Sequence, residues 1–376
     1  MDVLAGPALD DLTLRGPRLL LRRWQPTDAA RVHEVMQDRS MFDYLVLPDP
    51  YTADDAHEFV TTIGHEGRGD GSGVGCAVVE RASERVVGSA ALRMWGDHPE
   101  IGFWVAPDAR GRGYASEATG VLCDFGFGLG LRRIGLCCDV RNLASARAAL
   151  RAGFRFEGVL RDAAPLAGRG SADLACFGRV PTDPATSVPL SFPPLPADGL
   201  SDGVVALRVL APGDACAFAE TDDELTVANG FGDAPRTTHE YESATARAGL
   251  DWLVGTRALS AIVDVATGQL AGSLTLRHAG PPQIGGIGYV VHPRFRGRGY
   301  ATRALRLLVP WAFEHGFARM ELGAKEANLA SQRAALAAGF HADGVRRHRL
   351  RGVDGRFHDE VRFAQTNPRL DTAAGS

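Results

Sequence analysis

Little in this sequence commits it to nucleic acid, to a membrane or to a disulfide framework. Across 376 residues, 41 Lys and Arg stand against 45 Asp and Glu, so the formal charge is only −4. Without a basic excess there is no overall pull toward phosphate backbones or anionic lipid, although a local basic site for a small anion is compatible with it. No apolar run approaches the ~20 residues needed to cross a bilayer. The first residues, MDVLAGPALDDLTLRGP, show no basic segment followed by an apolar one and do not read as a secretory signal. The six cysteines (Cys76, Cys123, Cys137, Cys138, Cys176 and Cys216) show no CxxC spacing. Cys137 and Cys138 are adjacent in an apolar run, where a strand sends neighbours to opposite faces. They read as small core residues, neither a disulfide pair nor a metal site. The histidines form no H-x-x-x-H pair, so no metal is expected. A reducing, cytoplasmic compartment is expected.

What the chain does have is a duplication. Shifted by 186 residues, Ile101–Arg161 aligns with Ile287–Arg347 without a gap, and 30 of the 61 positions are identical. The period is too long for a solenoid, so a whole domain is repeated. Residues 181–203 hold six prolines and almost no periodic apolar pattern, which predicts a semi-rigid extended linker. The expected domains are therefore 1–180 and 203–376, joined by 181–202. Each copy opens with a strand and two helical stretches, followed by a three-stranded meander. A Gly-rich loop, a helix, a strand, a second helix and two closing strands complete it. This order predicts an α+β fold, a mixed and mostly antiparallel twisted sheet flanked by helices.

The string RGRGYA occurs in both copies, as Arg110, Gly111, Arg112, Gly113, Tyr114, Ala115 and as Arg296, Gly297, Arg298, Gly299, Tyr300, Ala301. It follows a strand that stops at Pro107 or Pro293 and precedes a helix. Glycines there let the chain turn with its amides converging, and the helix adds unpaired N-terminal amides and the positive end of its dipole. Such a turn can bind phosphate, or it can be a surface turn with solvated arginines. An RNA-binding Arg-Gly box does not suit a periodic α+β context, and neither a dinucleotide-binding glycine pattern nor a P-loop is present.

Taken with EIGFWVAPDARGRGYASEA and NLASARAALRAGFRFEGVLR and their second-copy partners, the pattern resembles the GNAT N-acetyltransferases, above all their RimJ/RimL-like branch. The resemblance covers about 160 residues of each half, and implies acetyl-CoA as co-substrate. The amides of both RGRGYA loops would then hold the CoA pyrophosphate, and the backbone near Val105 and Val291 would pair with the pantetheine arm. It also implies that Asn142 and Asn328 contact that arm. Ser145 and Ser331 would lie near the sulfur as acids for the departing thiolate. Independently of the resemblance, each Asn reads as a helix N-cap, a role compatible with the other.

Acetyl transfer to an amine needs a base, a donor for the carbonyl oxygen and close positioning, but no protein nucleophile. Glu100 is the candidate base of the first copy, against the alternative of a solvated strand-end carboxylate. The second copy has Gly286 there, which puts its catalysis in doubt while leaving its donor loop intact. Pro310 is expected to kink the helix after the second loop. Tyr44, Tyr51, Trp95 and Trp104 could line an acceptor cleft, although Trp104 suits core packing better. GVRRHRLRG, from Gly344, reads as a solvated hairpin edge, or as a small anion or RNA patch. The expected activity is direct transfer from acetyl-CoA to a primary amine of a small molecule or protein N-terminus. No nucleic-acid or membrane partner is expected, and the two copies are expected to form an internal pseudo-dimer, with a homodimer as a further option. A non-catalytic acyl-CoA-binding module, and an acyltransferase using a longer acyl-CoA or aminoacyl-tRNA, are the alternatives.

Overall fold

The computed structural model describes residues 9–370 apart from 10–11, 68–71, 96–97, 167–169, 231–235 and 282. The chain divides into two compact units, 1–189 and 190–376, and the division falls inside the proline-rich stretch. The first unit runs β1 (Thr13–Arg15), β2 (Leu19–Arg22), α1 (Ala29–Met36), α2 (Ala53–Thr61), β3 (Gly73–Glu80), β4 (Val86–Trp95), β5 (His98–Val105), α3 (Tyr114–Gly128), β6 (Ile134–Asp139), α4 (Leu143–Arg151), β7 (Arg155–Leu166) and β8 (Gly170–Arg179). Its sheet has the order β1-β2-β3-β4-β5-β6-β8-β7, antiparallel except where β5 meets β6. The α3 helix covers the middle of one face. Ile134, Leu131 and Leu92 crowd so close to Gly126 that an added Cβ would meet their side chains at 2.9–3.1 Å. Leu92, Ile101, Leu122 and Ile134 are almost fully buried in this layer, each burial stabilising by about 1.5–3 kcal/mol.

The second unit repeats the plan: β9 (Leu200–Ser201), β10 (Val205–Val209), α5 (Ala215–Ala219), α6 (Glu224–Asn229), α7 (Thr238–Val254), β11 (Ala258–Asp264), β12 (Leu270–His278), β13 (Ile284–Val291), α8 (Tyr300–Glu314), β14 (Arg319–Lys325), α9 (Leu329–Ala337), β15 (His341–Arg351) and β16 (Phe357–Thr366). Its sheet mirrors the first in order, β15-β16-β14-β13-β12-β11-β10-β9. GVRRHRLRG is the exposed edge strand β15, paired with β16.

The stretch 181–202, expected as a semi-rigid extended linker, makes contacts of its own with the units it joins. Val188 donates its amide to the Leu150 carbonyl at the end of α4, while Phe192 is fully buried in the second core and Pro193 accepts from the Trp252 indole. The prolines keep regular structure out of this segment as far as β9, with turns and bends along it, but do not keep it off the domains. The helix α8 spans 15 residues, has Pro310 inside it and runs on past it to Glu314. Pro310 lies on the exposed side, where water can satisfy the carbonyl that loses its partner.

Candidate functional site

Both RGRGYA loops adopt one geometry. Gly111 and Gly113 take φ of 77° and 79°, and Gly297 and Gly299 take 73° and 79°. These are left-handed angles that a Cβ disfavours. Space is not the constraint, because a Cβ at Gly111, Gly297 or Gly299 would meet nothing within 4 Å. Among the described residues, the amides of Gly111 through Ser116 and of Gly297 through Thr302 find no acceptor in the protein. Six converging donors at a helix N-terminus suit a diphosphate-sized anion.

The arginines divide their roles. Arg110 and Arg296 turn back and brace the loop rather than face an anion. Arg110 reaches Ser40 Oγ at 2.9 Å, whereas Arg296 forks onto Asp223 at 2.6 and 2.7 Å and reaches Thr226 at 2.8 Å. That pairing holds the Asp223 carboxyl well below its usual range. Arg112 and Arg298 are exposed, Arg112 with a loose 3.8 Å pairing to Glu80. Tyr114 and Tyr300 are buried, with their hydroxyls on Glu80 and Asp264 at the ends of β3 and β11.

Beside each loop the sheet opens. The whole of β5 pairs with β4, but only Glu100↔Gly135 joins it to β6. In the second unit, β13 and β14 pair from Ile284↔Arg319 to Ile287↔Leu322 and then part. The edge toward Val105 or Val291 is thus left for an extended ligand, apart from the Val105 and Val291 carbonyls, which Arg110 and Arg296 approach at 3.4 and 3.2 Å. On the far side of the gap, Asn142 and Asn328 cap α4 and α9, accepting from Ser145 and Ser331 at 3.1 Å. Ser331 Oγ also lies 2.9 Å from the Tyr289 hydroxyl. The position of Tyr289 is Phe103 in the first copy. Tyr44, half-exposed, donates to the Arg141 carbonyl next to α4, while Tyr51 is buried. Trp104 stacks on Trp24 at 6.2 Å, against Phe59, and so belongs to a packed cluster. The Trp95 side chain lies outside the described residues.

Glu100 sits half-buried on β5. Burial pushes its carboxyl above the usual range, and the Cys137 thiol and Arg133 pull only partly against it. Gly135 leaves it room, and Arg93 stands opposite on β4. Cys137 is not the fully buried core residue expected: it and Cys176 are partly buried, directly paired across β6 and β8, with sulfurs 3.2 Å apart. The second unit exchanges the two positions. Gly286 stands where Glu100 does, and its parallel neighbour is Glu321 in place of Gly135. Burial would raise the Glu321 carboxyl, but a 2.8 Å bond from Arg319 and the charge of Arg362 hold it below the usual range.

Sequence reasoning singled out the loops, the caps and Glu100 as candidates. It missed the bracing role of Arg110 and Arg296, the dithiol, Tyr289 and Glu321. Only the 186-residue alignment carried a signal for the last two. Among the described residues, no group of three His, Cys, Asp or Glu is arranged to hold a metal ion, and no helix is long and apolar enough to cross a membrane.

Comparison with known proteins matches the Acetyltransferase (GNAT) domain family twice, over residues 18–155 and 205–341. The chain is 30% identical over 152 residues to the uncharacterized N-acetyltransferase YnaD of Bacillus subtilis, spanning 39% of this chain and 85% of that protein. It is 30% identical over 155 residues to the uncharacterized N-acetyltransferase YoaA of the same organism, again 39% and 85%. Among solved structures, a GNAT-family acetyltransferase from Bacillus anthracis is 27% identical with a TM-score of 0.39, covering 45% of this chain and 98% of its own.

Proposed function

The chain belongs to the GNAT acetyltransferase family, with two GNAT domains in tandem, and on that premise we propose that it transfers acetyl from acetyl-CoA to a primary amine. The observation that carries this is the row of six unpartnered amides beside an opened strand edge, present in both units. In this reading the amides of Gly111–Ser116 and Gly297–Thr302 hold the pyrophosphate, aided by Arg112 and Arg298, while those of Arg110 and Arg296 are spent on the Pro107 and Pro293 carbonyls. The edges ending at Val105 and Val291 pair with the pantetheine arm, and Asn142 and Asn328 present their helices to it.

In the first unit Glu100 takes the proton of the acceptor amine, directly or through water. A carboxyl raised by burial is better matched to that task than a solvated one. The neutral amine then attacks the thioester carbonyl in a ternary complex, and Ser145 donates to the departing sulfur. Binding both reactants in line supplies much of the acceleration. The acceptor is a small-molecule amine or a protein N-terminus, admitted on the Gly102 side of β5, where no atom lies within 4 Å of an added Cβ.

The second unit keeps the donor loop, while the carboxylate nearest the equivalent position is clamped by two arginines. This favours a second reading for that half, a CoA-binding domain without a base. In it Ser331 is engaged by Tyr289 rather than free to serve a leaving group.

Calorimetric titration with acetyl-CoA tests both readings, using Gly113→Glu and Gly299→Glu. Each change places a side chain on a left-handed φ and an anion among the amides. Two sites are expected, one lost in each variant. The absence of binding in the unaltered protein would sink the acetyl-CoA reading.

A further inference from the structure

The corner around Glu100 holds two thiols that the proposed reaction does not use. Cys137 and Cys176 face each other in register on β6 and β8 with sulfurs 3.2 Å apart. Both are only partly buried, in contrast to Cys76, Cys123 and Cys138. Directly opposed antiparallel residues have Cα atoms about 4.5–5.5 Å apart, inside the range of about 4.4–6.8 Å that a disulfide spans. Register also puts Glu100, Gly135 and Cys137 on one face of the sheet. Gly135 puts no side chain of its own between the carboxylate and the thiol, and Arg133 Nη1 lies 3.4 Å from where its Cβ would stand. The second unit has neither feature: the two cysteine positions hold Gly323 and Arg362, and the carboxylate position holds Gly286.

We propose that Cys137 and Cys176 form a reversible dithiol–disulfide site whose redox state sets the hydrogen bonding of Glu100. Reduced, the one Cys137 thiol proton is shared between Cys176 Sγ, toward which it points at 3.2 Å, and the Glu100 carboxylate, which it pulls down against burial. A low-molecular-weight disulfide is the oxidant. The two protein thiols give up two protons and two electrons, one S–S bond forms, and the reagent's own S–S bond breaks to release two thiols. The sulfurs need only close from 3.2 Å to about 2.05 Å. Afterwards Cys137 keeps its bulk but has no proton to donate. Glu100 stays as dry as before, loses a donor, and holds its proton to higher pH. The other charged groups near it are Arg93 from β4 and Arg133 beside β6, the latter already paired with Glu157 of β7. The site stands on geometry alone, while its consequence for catalysis rests on the reading of Glu100 as the base.

The full-length protein is treated with oxidised glutathione, and the bonds formed are located by peptide mapping. The Glu100 carboxyl is titrated by 13C NMR before and after. The expected result is an internal Cys137–Cys176 link and a midpoint raised by about 0.4–1 pH unit, the range one hydrogen bond carries, both reversed by dithiothreitol. Cys176→Ala should form no link and show no shift. Cys137→Ser, which keeps a donor but no thiol, should titrate like reduced protein with or without oxidant. The proposal is overturned if no internal link forms while exposed Cys216 takes up glutathione, or if the link forms and the midpoint stays or falls. Neither outcome depends on acetyl-CoA, so failure here is separable from failure of the calorimetric titration.

Discussion

Glu100 with Gly135, and Gly286 with Glu321, are the same two places in one fold, filled in opposite order. In the first unit the carboxylate stands on the strand that borders the open gap, among thiols and with little compensating charge. In the second it has crossed to the neighbouring strand, where Arg319 and Arg362 neutralise it. Lys325 and Glu360 carry this polar network along the same face, while Cys137 and Leu174 hold the places of Gly323 and Glu360 in the first unit. Both units keep the loop, the braced arginine and the capped helix. The fold therefore preserves the loop and its capped helix independently of the Glu100 corner, and the partners across the strands decide whether a carboxylate there is raised by burial or fixed by arginines.

The sharpest way to break this comparison is to remove each carboxylate. Glu100→Gln should lower the best acetyl-transfer rate found in an amine panel by about 10²–10⁴-fold, the usual range for a general base, with acetyl-CoA affinity unchanged. Glu321→Gln should leave that rate within a factor of two. Release of free CoA thiol follows both. An equal loss in the two variants would erase the assigned difference. Gly286→Glu should not create activity in the second unit. The added Cβ would press on that of Ala279 at 3.0 Å, and its parallel neighbour is Glu321 with two arginines in place of Gly135.

The same pair should pull stability in opposite directions with pH. Glu100 has a raised folded pKa, so the folded state binds its proton more tightly and stability falls as pH rises through the window above the ordinary Glu value. Glu100→Gln should then raise the melting temperature at pH 7, and the gain should vanish at low pH. Glu321 has a lowered pKa, so its contribution is present above the ordinary value and is lost as pH falls through the folded one. Glu321→Gln should cost about 1–3 kcal/mol at neutral pH, the scale of hydrogen bonds to charged groups, and nearly nothing in acid. Melting curves of the four combinations of variant and pH decide it. Two shifts of the same sign would refute the opposed electrostatics.

What was legible in the sequence follows the range of the interaction behind it. Glycines 111, 113, 297 and 299 were readable as turn residues because φ is a local property, and the four angles agree within a few degrees. Asn142 and Asn328 were readable as caps because the partner amide is three residues away. The bracing contact of Arg110 was not legible because its partner, Ser40, is 70 residues distant. Glu321 and the Cys137–Cys176 pair were invisible for the same reason, since strand register is not written in either strand alone. Phe192 was lost among prolines because one buried ring has no periodicity to betray it.

The smallest expected effect tests what the two units share. Asn142 and Asn328 accept the Ser145 and Ser331 amides at the same 3.1 Å, from helices of nine residues each. Asn→Ala at either place should cost about 0.5–2 kcal/mol through the lost cap, and nearly equal amounts, because neither bond involves the corner that differs. Denaturant unfolding reads this cost. If capping is their sole role, acetyl-CoA should bind both variants as it binds the unaltered protein. If the Asn side chain also meets the pantetheine arm, calorimetry should show one site weakened in each variant, beyond anything the stability loss explains. A change confined to Asn142→Ala would mean that the donor sites have diverged as the carboxylates have.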